Sequence, residues 1–171
     1  MTVTGLPYLR PPELVRRSPW QDAHETRVAN WIEPWDGEEL FDVGLLMVPI
    51  ARGAIKHVAT HLGPNALRMV WPFFTTYSID YDVDVADLRV RDLGDVEISL
   101  LDVPEAHRAI EAAATALLTR NREFFPITIG GGALACPSPT AGVQGESRVR
   151  VYRADSVRCP HGLPDGGARP P

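Results

Sequence analysis

A short apolar run empties into three glycines at Phe125-Pro126-Ile127-Thr128-Ile129-Gly130-Gly131-Gly132-Ala133. In an open α/β sheet, a strand ending in such a turn marks the side on which ligands bind. The bare N–H groups of Gly130-Gly131-Gly132 could cradle phosphate. Neither a following Lys-Ser/Thr nor a G-x-G-x-x-G spacing is present, so that reading is weak. His57 and His61 stand four apart, a spacing that can set two imidazoles on one helix face for zinc. Glycines flank them and no third ligand stands nearby, which makes them ordinary loop or packing histidines. Asp80, Asp82 and Asp84 alternate as at the start of a calcium loop. Val85 then takes the position that needs glycine and Arg91 the one that needs a bidentate glutamate, so a solvated acidic connection is expected instead. Cys136, Cys159 and His161 fit no common zinc spacing.

The elements that would carry these residues can be read from periodicity. Residues 1–40 are polar and punctuated by Pro and Trp, which suggests an N-terminal arm with a short helix from about Asp22 to Trp31. Phe41 to Ile50 is a nearly continuous apolar run, as in a parallel strand covered on both faces. Gly63-Pro64 should open a helix, because proline's missing N–H costs nothing in the first turn. Its buried side is expected to be Ala66, Leu67, Val70 and Trp71, with Pro72 stopping it. Leu88 to Ile98 reads as a second strand broken at Gly94. Asp102-x-x-Glu105, with Pro104 in the first turn, opens a helix that runs to about Asn121. Pro126 to Ile129 is the third strand. Strand, helix, strand, helix, strand predicts a doubly wound α/β sheet. From Ala133 the texture changes: residues 133–171 are rich in Pro, Gly and Arg, and only Val149 to Tyr152 resembles a strand.

Composition bounds the function. At 171 residues the chain is about one domain. A hydrophobic content of 44% and a charged content of 23% are those of a globular protein. The formal charge of −5 gives no reason to expect nucleic acid or an anionic membrane as partner. No apolar run approaches the roughly 18 residues of a spanning helix, and the N-terminus lacks a secretory core. A cytoplasmic location is therefore expected. Two cysteines make no disulfide framework.

Three motifs in order carry a resemblance. The segment VPIARGAIKHVATHLGPNALR contains Arg52-Gly53, Gly63-Pro64 and Ala66-Leu67-Arg68, and resembles the first loop and helix of the ureohydrolase (arginase/agmatinase) family. Asp92-Leu93-Gly94-Asp95-Val96 is similar to that family's D-x-G-D-V segment, and ITIGGGA to its L-G-G-D-H-S turn. The resemblance spans about residues 41–135 and looks closest to the agmatinase-like branch. It implies a three-layer α/β/α, doubly wound parallel sheet, of which about three to four strands are present here. It also implies two Mn²⁺ ions at the carboxyl ends of the strands, activating a hydroxide that attacks a guanidino carbon and releases urea. Arg52, Lys56 and His57 would lie in a loop at the active-site mouth. Arg68 would pair with a neighbouring carboxylate.

The same resemblance exposes what is lacking. The positions of the family's Asp-His pair hold Gly132 and Ala133, and Ala133 offers no donor atom. After Val149-Arg150-Val151-Tyr152 the only carboxylate is Asp155, with Arg153 and Arg158 beside it, where the family carries D-x-H-x-D. The expectation is a chain divided into an arm (1–40), the N-terminal half of a ureohydrolase-like domain (41–132) and a low-complexity or disordered tail (133–171) of the composition that an out-of-frame GC-rich gene encodes. It would be truncated, bind no metal or other cofactor, and be inactive alone. The alternative is a non-catalytic pseudoenzyme that binds a partner such as a homologous ureohydrolase subunit.

Overall fold

The computed structural model describes residues 5–51, 59–99 and 102–130. Its centre is three parallel strands: β3 (Val43–Val48), β6 (Val90–Val96) and β7 (Phe125–Gly130). β3 lies in the middle, with β6 on one side and β7 on the other. Two two-residue strands from the N-terminal arm complete the sheet along the outer edge of β6. β2 (Glu33–Pro34) runs parallel to its start and β1 (Leu9–Arg10) antiparallel to its end. Residues 5–40 are thus built into the sheet, and Leu6, Leu9, Trp35 and Phe41 belong to its buried core.

Alternation along β3 separates two apolar layers. Leu46 and Val48 face α3 (Val103–Arg120), meeting Ala106, Ala109, Ile110, Ala113 and Leu117. Leu45 and Met47 face the other way, toward α1 (Val28–Trp31), the half-buried Leu67 of α2 (Gly63–Val70) and Trp71 in the 3₁₀ turn Trp71–Phe73. Helices on both faces of a parallel sheet make the three-layer α/β/α arrangement that the run of elements predicts. A hairpin of β4 (Tyr77–Ser78) and β5 (Val83–Asp84) stands apart from the sheet. It occupies the acidic connection anticipated at Asp80, Asp82 and Asp84.

Helix α3 begins as its sequence dictates. Asp102 is extended, and its Oδ1 accepts the Glu105 N–H at 3.0 Å, satisfying one of the orphan donors of the first turn. Asp102→Ala is expected to lower stability by about 1 kcal/mol in urea denaturation, and Asp102→Ser to recover most of it.

Two expectations are corrected. The helix proposed from Asp22 to Trp31 is only Val28–Trp31. Asp22 Oδ1 accepts the His24 N–H at 2.8 Å in a local turn, and Arg27 is extended and bridged to Thr75. The buried side of α2 is also different. Ala66 and Val70 are exposed, Leu67 is half-buried, and the fully covered side chains are Pro64 and Arg68. An arginine took the place expected of an aliphatic stripe because carboxylates await it beneath the helix.

Candidate functional site

The strand order β6-β3-β7 places a topological switch at β3. The chain leaves β3 for β6 on one side and later arrives at β7 on the other. Ligands of open α/β sheets bind outside the carboxyl ends of the strands at such a switch. Val48 is in register with Gly130, so β3 and β7 end side by side there. Two segments leave that edge. One continues from Ala51 into Arg52, Lys56 and His57; the other continues from Gly130 into Gly132 and Ala133. All five residues lie outside the described ones, as do Cys136, Val149 to Tyr152, Asp155, Cys159 and His161.

Beside this edge sits a buried ionic cluster. Arg68 has no solvent exposure. Its Nε and Nη2 donate to Asp92 Oδ2 and Oδ1 at 2.7 and 2.9 Å, a bidentate pair. Its Nη1 donates to Asp95 Oδ1 and Oδ2 at 2.9 and 3.0 Å and to Asn65 Oδ1 at 3.0 Å. Burial works against the guanidinium's charge, and the two aspartates overcome that penalty, so its pKa is raised above the ordinary arginine value.

The cluster exists because of a glycine. In a regular strand, residues three apart point to opposite faces. Asp92 and Asp95 nevertheless share the face toward α2, because the strand carries a bulge. Leu45 is opposite Asp92 and Leu46 opposite Gly94, with Leu93 as the extra residue. Gly94 has φ +98°, a conformation open to glycine and costly for other residues. The bulge resets the alternation, turning Leu93 and Val96 into the α3 core and both aspartates onto Arg68.

The aspartates also hold the arm and the turn. Asp95 Oδ2 accepts the Glu13 N–H at 2.8 Å, Asp92 Oδ1 accepts the Gly94 N–H at 3.0 Å, and Asn65 Nδ2 donates to Glu13 Oε2 at 3.1 Å. Helix α2, strand β6 and the arm are thereby locked together. In the 3₁₀ turn before α2, Thr60 Oγ1 donates to the Ile50 carbonyl at 3.3 Å, tying that turn to the end of β3. The part of Arg68 is as the sequence indicates; Asn65 and Glu13 were not foreseen, and their only sequence signal is proximity to the G-P-x-A-L-R and arm segments.

The cluster does not suit a divalent cation. All four oxygens of Asp92 and Asp95 already accept hydrogen bonds, and a guanidinium sits between them. Among the described residues no group of three or more His, Cys, Asp or Glu could hold a metal ion. His61 lies in the 3₁₀ turn before α2 (Thr60–Leu62), with a buried Nδ1 that has no hydrogen-bond partner. Among the described residues no helix is long and apolar enough to cross a membrane.

Comparison with known proteins adds identity to this geometry. The model of the arginase family matches residues 41–151. A formimidoylglutamase of Halalkalibacterium halodurans is 30% identical over 151 residues, covering 88% of this chain and 47% of that protein. The chain thus spans about half the length of the curated relative. The crystal structure of formimidoylglutamase from Bacillus subtilis superposes with a TM-score of 0.60 at 27% identity, over 68% of this chain and 36% of that one. An oxidized formiminoglutamase of Trypanosoma cruzi, solved with Mn²⁺ at pH 6.0, gives 0.52 at 26% identity, over 64% and 37%. The family is the one that the motifs indicate, and these relatives are formimidoylglutamases by name, not agmatinases.

Proposed function

The chain belongs to the arginase family, and on that footing we propose that it carries the N-terminal half of a formimidoylglutamase-type domain whose catalytic step it cannot perform alone. The family reaction would be hydrolysis of a C–N bond in an amidine, here an N-formimidoyl amino acid in preference to agmatine. The similarity of this chain to formimidoylglutamases supports that substrate class. In such an enzyme Mn²⁺ would supply an activated hydroxide.

The observation that carries the reading is the donor set. Ala133 offers no ligand atom in the glycine turn, and the buried carboxylates of the described sheet are saturated by Arg68. The family match continues through residue 151, past Gly132-Ala133, which supports replacement within the domain over an out-of-frame tail. What the chain contributes is the first wall of the crevice. β3 and β7 set its floor, and the Arg68 lock holds α2 and the arm beside it.

The test uses the full chain. After incubation with excess Mn²⁺ and removal of free metal, less than about 0.1 Mn per chain is expected, a low occupancy chosen because an assembled site would retain its cation. No amine should be released from N-formimidoylglutamate and no urea from agmatine. About two Mn per chain together with turnover of either substrate would overturn the proposal. A second reading, a non-catalytic subunit that docks on another arginase-family chain, is favoured by the outer edge of β7, which is unpaired among the described residues.

A further inference from the structure

We infer that Met69 is an oxidant-sensitive modification site whose sulfoxide tightens the N-terminal arm onto α2. Met69 stands in the last turn of that helix with 44% of its surface exposed, whereas Met47 inside the sheet has none. A small oxidant in solution therefore reaches one sulfur and not the other. The exposed Arg16 of the arm donates from Nη1 to Met69 Sδ at 3.3 Å, its only hydrogen bond among the described residues. A thioether sulfur is a weak acceptor. A guanidinium, which forms strong bonds to oxygen, is thus held at an atom that can become an oxygen acceptor.

The oxidant is hydrogen peroxide. A sulfur lone pair attacks one peroxide oxygen, an S–O bond forms and the O–O bond breaks. The departing hydroxide takes the proton of the transferred oxygen and leaves as water; sulfur loses two electrons and the peroxide gains them. Oxidising a buried methionine disrupts packing. Here the sulfur already meets solvent and a guanidinium, so little packing is lost, and the Met69 sulfoxide oxygen accepts a charge-assisted bond from Arg16. The stretch of arm that this bond would hold has few other ties. The Ser18 N–H donates to Asn30 Oδ1 at 2.9 Å, and the Trp20 ring lies 5.7 Å from that of Phe73, just beyond α2. One stronger bond there should measurably reduce opening of the arm.

The test treats the full chain with hydrogen peroxide and follows it by peptide mass spectrometry and by hydrogen exchange at the Ser18 amide. Met69 should gain one oxygen about tenfold or more faster than Met47, as the difference in access requires. In the oxidised wild type, exchange at Ser18 should slow by about fivefold, the step from a weak neutral bond to a charge-assisted one. Methionine sulfoxide reductases should reverse both changes. Met69→Leu keeps every other oxidisable side chain, and Arg16→Ala keeps the sulfur but removes the donor. Peroxide should leave Ser18 exchange unaltered in both. The proposal fails if Met69 and Met47 oxidise at the same rate, or if oxidation leaves Ser18 exchange in the wild type unchanged or faster. It also fails if peroxide slows that exchange equally in Met69→Leu, which would place the effect on another side chain, or in Arg16→Ala, which would remove Arg16 from it. None of these readings depends on metal content or hydrolysis.

Discussion

Arg68→Met is expected to lower the unfolding free energy by about 3–5 kcal/mol, the usual loss when one partner of a buried ion pair is removed. The substitution keeps roughly the same stem, so packing changes little while the charge disappears. Asp92 and Asp95, both buried, would then lose their cation while remaining under α2. Against a typical net stability of about 5–15 kcal/mol, such a loss unfolds much of a marginal chain. Arg68→Lys should not rescue it, because an ammonium cannot reproduce a bidentate pair with Asp92 and a third contact to Asp95. Adding Asp92→Asn and Asp95→Asn to Arg68→Met should recover part of the loss by deleting the stranded charges. Urea denaturation followed by circular dichroism gives the measurement. A midpoint within about 0.5 kcal/mol of wild type for Arg68→Met, the range of a neutral surface change, would show that the cluster does not hold the fold.

Gly94→Ala should be the next most damaging change, and two separable costs combine in it. The first is conformational, about 1–2 kcal/mol for placing an L side chain in the left-handed region. The second is steric: a Cβ on Gly94 would lie 2.1 Å from the Arg10 carbonyl oxygen, a backbone atom that cannot swing aside. Strand β1 must therefore move away from β6, uncovering the fully buried Leu9, worth a further ~1.5–3 kcal/mol. Gly5→Ala supplies the control. Gly5 also has positive φ, but a Cβ there meets nothing within 4 Å, so only the conformational cost applies. Hydrogen exchange should show accelerated loss at Leu9 and at Glu97, whose N–H donates to the Tyr8 carbonyl at 2.7 Å. If Gly94→Ala and Gly5→Ala cost the same, the close approach of β1 is not what demands glycine.

Both results bear on the crevice, because the bulge and the lock fix α2 and the arm beside the carboxyl edge of β3. The framework beside that edge is therefore held by folding interactions of the described residues themselves.

Much of the fold was legible because its signals are local. The Asp102 cap, the proline in the first turn and the 3.6-residue spacing of Ala106, Ile110, Ala113 and Leu117 fix α3 without reference to the rest of the molecule. The apolar run at β3 likewise identifies a strand covered on both faces, whereas β7 forms where its apolar run predicts but has no buried residue among those described. The short helix near Trp31 was overextended because its flanking turn and the Arg27–Thr75 bridge compete with helix formation, and the second involves a residue distant in sequence.

The sequence by itself determined strands β3, β6 and β7, helices α2 and α3, their order and the absence of a donor atom at Ala133, since capping, periodicity and side-chain chemistry belong to single residues and their near neighbours. Only the tertiary structure decided that Asp92 and Asp95 share a face, that Arg68 is the most completely buried side chain of α2, and that the arm closes the outer edge of β6. Those outcomes depend on where a bulge resets the strand and on which backbone approaches Gly94, and distances between chain segments are not encoded in any local window.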